Sequence, residues 1–167
     1  VDNSLLKIQI GQVTPANIRQ FELLLSTCLP VRYSAKFYKN LTTDIPKEYL
    51  KFGFWQGTTV GSICCRVEDH SDEDKKASGL KRLYIMTLTT LPAYRRRKVG
   101  SQLLEYVLRE ASKDITIRDI YLHVQTSNVA ALDFYKGSGF EQGEMIANYY
   151  KNIQPPDCYV LRKENVH

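Results

Sequence analysis

Four consecutive basic residues stand where a strand pattern gives way to a helix pattern. They are Arg95, Arg96, Arg97 and Lys98. They follow Pro92, which ends a strand by removing a backbone donor, and they precede helically spaced apolar residues that begin at Val99. The exposed N–H groups and the positive dipole end of a helix attract anions, so this junction is typical of a phosphate or pyrophosphate site. A solvated basic turn is the alternative interpretation.

The strands on either side of that helix alternate between apolar and polar or aromatic side chains. Before the turn, Leu83, Ile85 and Thr87 point one way, and Tyr84, Met86 and Leu88 point the other. After the helix, Ile120, Leu122 and Val124 alternate with Tyr121, His123 and Gln125. Each strand therefore has one face for a core and one face that is free for other contacts.

The order of the remaining elements predicts a mixed α/β sheet with parallel strand–helix–strand crossovers in its second half. We expect a strand over Leu5–Ile10, a helix that is capped by Thr14 and starts at Pro15, and a hairpin that turns at Gln56-Gly57. Further elements are a short helix at 36–42, a helix capped by Asn128, and strands that begin at Gly139 and Asp157. Residues 68–79, which include His70, are polar and predict a mobile, solvated loop rather than a metal site.

Composition narrows the class of protein. The 167 residues are 43% hydrophobic and 25% charged, so we expect a single globular domain over residues 1–167. No run of 18 apolar residues and no signal-peptide pattern occurs, so neither a membrane span nor a secretory signal is predicted. The four cysteines lack metal-site spacing and are expected to be reduced structural thiols in the cytosol. The net charge of +5 suits nucleic acid, a ribosome surface or a phosphate-rich cofactor, but no nucleic-acid-binding motif is present.

The basic turn resembles the phosphate-binding loop of the GNAT acetyltransferases, which holds the pyrophosphate of coenzyme A. The final glycine of that loop is present as Gly100, whereas Lys98 replaces its first glycine. Five further stretches resemble N-terminal acetyltransferase catalytic subunits of the NatE (San) type: residues 29–33, 82–88, 121–125, 133–135 and 148–150. The resemblance implies the GNAT fold, in which splayed parallel strands flanked by helices admit acetyl-CoA between them.

The resemblance also implies roles for particular residues. It makes Tyr84 and His123 the catalytic pair, and the strand pattern is compatible with both side chains facing one channel. The alternative for Tyr84 is an aromatic strand residue whose hydroxyl is hydrogen-bonded, and the alternative for His123 is a histidine of the core. It assigns the cofactor to Leu88, Arg95, Arg96, Arg97, Lys98, Val99, Gly100, Ser101, Asn128 and Tyr135. It builds an apolar acceptor pocket from Leu29, Pro30, Val31, Tyr33, Met86, Tyr149, Tyr150 and Ile153. No metal site is implied.

The implied function is transfer of an acetyl group from acetyl-CoA to the α-amine of nascent chains that begin with Met and a hydrophobic residue. The implied partners are the NatA auxiliary and catalytic subunits and, through them, the ribosome, in the cytoplasm and also in the nucleus. Because Lys98 replaces a loop glycine, one alternative function is that of a catalytically weakened or inactive relative that serves as a docking subunit. A further alternative is an acetyltransferase that acts on lysine side chains or small amines. Because a non-glycine residue resists the left-handed conformation, we expect Lys98 to weaken acetyl-CoA binding.

Overall fold

The computed structural model describes residues 4–167, which divide into two compact units. The first unit contains the chain up to Val67 together with Ile85–Lys113, and the second contains Glu68–Tyr84 together with Asp114–His167. The strands are β1 Gln9–Gln12, β2 Leu50–Trp55, β3 Thr58–Asp69, β4 Lys81–Thr90, β5 Ile117–Gln125, β6 Glu141–Ile146 and β7 Cys158–Glu164. The helices are α1 Ile18–Cys28, α2 Ala35–Asp44, α3 Glu73–Ala77, α4 Val99–Ser112 and α5 Val129–Gly137.

The strands form a seven-stranded mixed sheet in the order β1-β2-β3-β4-β5-β7-β6. In the first unit, β1, β2 and β3 pair antiparallel, and the hairpin between β2 and β3 turns at Gln56 and Gly57, both of which have positive φ. In the second unit, β4 pairs parallel with β5, and β7 pairs antiparallel with both β5 and β6. The predicted mixed sheet with a parallel crossover is confirmed.

Each unit has its own buried apolar residues. In the first unit, Phe21 of α1 meets Phe52 of β2 edge to face, with ring centroids 6.2 Å apart. Leu103 and Leu104 of α4 are fully buried in the same unit. In the second unit the inward residues include Leu83, Ile117, Ile120 and Leu161. The alternation predicted for β4 is confirmed, because Leu83, Ile85 and Thr87 are buried while the residues between them are partly exposed.

Several sequence-based expectations are wrong in position or kind. The first strand is Gln9–Gln12 rather than Leu5–Ile10, because β1 is set by pairing with β2. The first helix begins at Ile18, since the Thr14 amide donates to Asn17 Oδ1 and closes a turn ahead of it. The polar segment 68–79 contains regular secondary structure, because β3 extends to Asp69 and α3 follows it. The N-cap of α3 is Asp72, whose Oδ1 accepts a hydrogen bond from the Lys75 amide. The expectation of a single domain stays a prediction.

None of the helices within residues 4–167 is long and apolar enough to cross a membrane.

Candidate active site

Tyr84 and His123 lie together in the second unit. The Tyr84 hydroxyl oxygen is 2.8 Å from His123 Nδ1, and the two ring centroids are 5.5 Å apart. Both side chains are partly exposed, whereas their strand neighbours Leu83, Leu122 and Val124 are buried. A phenol hydrogen-bonded to an imidazole can relay a proton, since each group both accepts and donates. The two residues that the sequence predicted as a pair therefore lie within hydrogen-bond distance, and their catalytic role stays a prediction.

Tyr149 covers the other side of His123. Its ring stacks on the imidazole, with centroids 4.4 Å apart and an interplanar angle of 19°. Its hydroxyl is 3.3 Å from Nδ1, but a stacked ring approaches that nitrogen out of the imidazole plane, so Tyr84 is the better hydrogen-bond partner. The loop that carries Tyr149 is fixed by bonds from the Asn148 amide to Asp157 Oδ1 and from the Tyr150 amide to the Pro156 carbonyl. Ile153 is partly buried in the same loop.

The basic turn in the first unit has an unusual backbone. Arg96 and Lys98 both have left-handed conformations, with φ of 63° and 67°. Lys98 is the residue before α4, and its side chain makes no capping hydrogen bond to the first helical turn. Alternating left-handed residues ahead of an uncapped helix start present backbone N–H groups on one side, which is the geometry of an anion-binding nest. The residues of the turn therefore fit a pyrophosphate.

Two of the arginines in the turn also have structural contacts. Arg95 Nε donates to the Thr90 carbonyl at 3.1 Å, and Arg97 Nε donates to the Ser4 carbonyl at 3.2 Å. Each keeps its positive charge at the turn while it holds the backbone in place. The Arg96 and Lys98 side chains are exposed. Val99 is 1% exposed, so only its backbone is available to a ligand, whereas Gly100, Ser101 and, on β4, Leu88 are partly exposed.

On α5, the alternatives to cofactor binding are confirmed as structural roles. Asn128 Oδ1 accepts a hydrogen bond from the Ala131 amide at 3.2 Å, which is the predicted N-cap. Tyr135 is 6% exposed and meets the rings of Phe134 and Phe140 edge to face. The Asn128 side chain is exposed. A cofactor contact of either residue stays a prediction that is compatible with these roles.

Of the acceptor residues predicted in the first unit, Met86 lines a cavity, and Tyr33 stacks on Phe37, which also lines it. Leu29 is in extended backbone after α1, Pro30 and Val31 are exposed, and Tyr33 stacks on Phe37 with centroids 4.4 Å apart. Phe37 and Met86 line a cavity of about 380 Å³ together with Ser34, Lys36, Asn40, Leu41, Asp44, Ile45 and Arg66. This mixture of apolar and charged lining residues suits part of a peptide.

The cysteine beside Met86, Cys64, and its neighbour Cys65 are both buried. Cys64 is buried, its thiol lies 3.9 Å from Met86 Sδ, and burial raises its pKa to about 12. Burial also raises the pKa of the neighbouring Cys65 well above its usual value. A thiol must lose its proton to become a nucleophile, so burial disfavours both cysteines as acyl acceptors at neutral pH. All four cysteines are free thiols, as expected.

Sequence patterns did not predict an ion network in the second unit. Arg82 donates to both carboxylate oxygens of Asp119, at 2.8 Å and 3.0 Å, and Arg162 donates to the same carboxylate at 2.6 Å. Burial acts to raise the pKa of Asp119, but these hydrogen bonds and charges outweigh it and hold the pKa below its usual value. The partners are 37 and 43 residues apart in sequence. The available signal was that Asp119 shares a strand face with Tyr121 and His123.

Residues 4–167 contain no cluster of three or more His, Cys, Asp and Glu side chains placed to hold a metal ion.

Comparison with known proteins gives a consistent result. Residues 18–140 match the acetyltransferase (GNAT) family. The chain is 46% identical over 157 residues to N-alpha-acetyltransferase 50 from Danio rerio, which covers 94% of this chain and 88% of that protein. It is 38% identical over 156 residues to the probable N-acetyltransferase san from Drosophila melanogaster, which covers 93% of this chain and 80% of that protein.

A solved relative shares the fold. Arabidopsis thaliana Naa50, in complex with the bisubstrate analogue CoA-Ac-MVNAL, superposes with a TM-score of 0.82 at 41% identity. The match covers 93% of this chain and 97% of that one.

Proposed function

This chain belongs to the acetyltransferase (GNAT) family as an acetyl-CoA-dependent N-alpha-acetyltransferase, and we propose that its acceptors are protein N-termini beginning with Met and a hydrophobic residue. The observation that carries this proposal is the 41% identity, over 93% of the chain, to a protein whose bound analogue contains the peptide MVNAL. That peptide begins with Met and Val. Phe37, Leu41 and Ile45, which line the same cavity as Met86, support the same choice.

We propose that Tyr84 and His123 handle the proton of the attacking amine. An α-amine has a pKa near 8, so part of it is already neutral at pH 7 and the rest must lose a proton. In the proposed step the Tyr84 oxygen takes that proton, directly or through one water, as its own hydroxyl proton passes to His123 Nδ1 across 2.8 Å. The stacked ring of Tyr149 keeps the imidazole in the orientation that this transfer needs. Bound acetyl-CoA supplies the activated acetyl thioester.

The cofactor role of the basic turn follows from its charge and backbone. We propose that the N–H groups at the start of α4, with Arg95, Arg96, Arg97 and Lys98 around them, bind the pyrophosphate of coenzyme A. We assign further cofactor contacts to Leu88, Val99, Gly100, Ser101, Asn128 and Tyr135. The cofactor contacts of Asn128 and Tyr135 are compatible with their structural roles. An asparagine that caps a helix and a tyrosine that packs its ring in the core can each present another atom to a ligand.

We assign contacts with the acceptor peptide to apolar and aromatic residues: Leu29, Pro30, Val31, Tyr33, Met86, Tyr149, Tyr150 and Ile153. Against such residues a charged second residue would lose its water without gaining a partner.

The wider setting is also a proposal. We propose that the enzyme works in the cytoplasm, and also in the nucleus, with NatA auxiliary and catalytic subunits that bring it to nascent chains at the ribosome. The net charge of +5 is compatible with a ribosome surface. A catalytically weakened docking subunit is the second candidate, and the left-handed Lys98 in the cofactor turn is the observation that favours it. Calorimetric titration with acetyl-CoA separates the two, because a docking subunit should show little binding.

The test of the acceptor class is a peptide panel at saturating acetyl-CoA. Peptides that begin Met-Leu should be acetylated at least about tenfold faster than otherwise identical peptides that begin Ser-Glu or Asp-Asp, since burying an unpaired polar group costs about 1–3 kcal/mol. Equal rates across the panel would refute the acceptor sites as assigned.

A further inference from the structure

A polar and aromatic stripe crosses three strands of the second unit on the face that carries Tyr84 and His123. The parallel register of β4 and β5 places Arg82 opposite Asp119 and Tyr84 opposite Tyr121. The antiparallel register of β5 and β7 places Tyr121 opposite Arg162. Residues two apart on a strand share a face, so His123 continues the same row. We call these residues the stripe: Arg82, Tyr84, Asp119, Tyr121, His123 and Arg162.

Tyr121 is at the centre of the stripe and makes four contacts there. The guanidinium carbon of Arg82 lies 3.8 Å from its ring centroid, a cation–π contact. Its ring meets Tyr84 edge to face, with centroids 4.8 Å apart and an interplanar angle of 61°. It also meets the His123 ring edge to face, with centroids 6.1 Å apart. Its hydroxyl donates to a Glu68 carboxylate oxygen, and few orientations of the ring can satisfy all four contacts.

Arg82 is itself held in place by Asp119. The fork of two hydrogen bonds between them fixes the plane of the guanidinium, and Arg162 adds a third bond to the carboxylate. Asp119 is 1% exposed, and the two arginines keep it ionised. The guanidinium therefore stays on the Tyr121 ring, and the Tyr121 ring stays against Tyr84.

We propose that Tyr121 is a positioning residue for acetyl transfer, and that its ring holds the Tyr84 phenol against His123 Nδ1. This inference rests on the proposed proton-transfer role of Tyr84 and His123. Without the Tyr121 ring, Tyr84 gains space to rotate about its side-chain bonds and loses the 2.8 Å approach to the imidazole. Misplacing a reacting group by about 1 Å can cost up to about 10²-fold in rate. Tyr121 thus acts on the reaction through the Tyr84–His123 pair, because its ring also meets the His123 imidazole edge to face.

The test is a double-mutant cycle of Tyr121→Leu and Tyr84→Phe, with kcat and KM measured on a peptide that the wild-type enzyme accepts. Tyr121→Leu should lower kcat about tenfold and leave KM for acetyl-CoA unchanged. In the Tyr84→Phe background the same change should cost less than about twofold, because the hydroxyl that Tyr121 positions is already gone. Equal factors in both backgrounds, or an unchanged kcat for the single Tyr121→Leu variant, would overturn the proposal.

Two milder variants, Tyr121→Phe and Glu68→Ala, test the same proposal if Tyr121→Leu does not fold. Tyr121→Phe retains the ring contacts with Arg82, Tyr84 and His123 and loses the hydroxyl bond to Glu68, so it should recover most of the activity, to within about threefold of wild type. Glu68→Ala removes the same bond from the other side and should match it, again only when Tyr84 is present. A Tyr121→Phe variant as impaired as Tyr121→Leu, or a Glu68→Ala effect that persists in the Tyr84→Phe background, contradicts positioning by the ring.

Failure of this inference is distinguishable from failure of the proposed function. Full turnover by the single Tyr84→Phe variant would remove the catalytic role of Tyr84, on which the inference depends. A strong Tyr84→Phe effect combined with an additive Tyr121→Leu effect would leave the catalytic pair intact and refute positioning alone.

Discussion

The proposed catalytic pair, Tyr84 and His123, and the basic turn are held in shape by different means. In the second unit, Tyr84 and His123 are fixed by other side chains: Tyr149 stacks on the imidazole, and Tyr121 packs against the phenol. In the first unit, the turn over residues 95–98 is fixed by its backbone, with left-handed Arg96 and Lys98 and with arginine side chains bonded to carbonyl groups. The geometry of Tyr84 and His123 therefore depends on the neighbouring side chains. The geometry of the turn depends mainly on the backbone conformations of its residues.

This difference predicts different kinds of damage. Removing a side chain near Tyr84 or His123 should change the rate of the chemical step, because proton transfer depends on distance and angle. Changing a residue in the turn should alter cofactor affinity and stability, because the donor groups there belong to the backbone.

The largest expected effect is on the catalytic pair. His123→Ala and Tyr84→Phe should each lower kcat by about 10³-fold, within the range of general acid–base contributions, while the Kd for acetyl-CoA measured by calorimetry stays the same. Tyr159→Phe, which removes a phenol elsewhere in the second unit, is the matched control and should keep full activity. If both variants of the pair retain turnover, the proton passes through other residues.

The next effect concerns the anchor of the stripe. Asp119→Asn leaves Arg82 without its buried counter-charge and should lower the free energy of unfolding by about 3 kcal/mol in a urea titration. Asp69→Asn breaks the exposed pair with Lys81 and should change stability little, which makes it the control. Similar losses in the two variants would mean that burial of Asp119 is not what matters.

Asp119 also gives a pH dependence. Its pKa is lowered in the folded protein from a value near 3.8, so the unfolded chain takes up the proton first as the pH falls. Its contribution to stability is therefore present above that value and is lost as the pH falls through the lower, folded-state pKa.

A smaller effect is expected at Lys98, in the region fixed by its backbone. A left-handed non-glycine residue costs about 1–2 kcal/mol, so Lys98→Gly should raise the free energy of unfolding by about 1 kcal/mol. It should also tighten acetyl-CoA binding severalfold, because the backbone can then approach the pyrophosphate without a side chain beside it.

Lys98→Ala is the control for that prediction, since it removes the charge but keeps the unfavourable conformation. It should give no gain in stability. A Kd for acetyl-CoA that is unchanged or higher in Lys98→Gly would contradict this prediction and show that the Lys98 charge contributes at least as much to pyrophosphate binding as its backbone conformation costs.

The smallest effect involves His70, a buried residue beside the stripe. Burial lowers the pKa of His70 from 6.5. Of the charges around it, Asp119 and Asp72 act to raise that pKa, and Lys75 and Arg82 act to lower it. Its Nδ1 accepts from the Asp72 amide, and its Nε2 is buried with no hydrogen-bond partner among the described residues. Below about pH 6.5 the unfolded chain binds the proton first, so stability should fall with pH. In His70→Asn, the drop in Tm between pH 7.5 and 5.5 should be smaller. An identical drop would exclude His70 as its cause.

Local patterns predicted much of what positions the site. The alternation in β4 and β5 correctly separated Tyr84 and His123 from their buried neighbours, and Asn128 was correctly placed as a helix cap. These features depend on residues within a few positions of each other. The left-handed conformation expected at Lys98 is also present, since the loop pattern demands it there.

Features set by distant pairing could not be predicted in the same way. The position of β1 depends on β2, about 40 residues away, and the ion network of Asp119 depends on the strand register. His70 stands in a polar run that indicates exposure, yet its amide bonds to the Leu80 carbonyl and its ring is buried. Only the folded chain brings those partners together.

The most direct test of the central claim is to locate the transferred acetyl group. A peptide that begins Met-Leu and contains one internal lysine is incubated with the enzyme and acetyl-CoA, and the product is mapped by tandem mass spectrometry. We expect the acetyl group on the α-nitrogen of Met and none on the lysine Nζ, and we expect His123→Ala to abolish that signal. Acetylation of the lysine in preference to the α-amine would contradict the account.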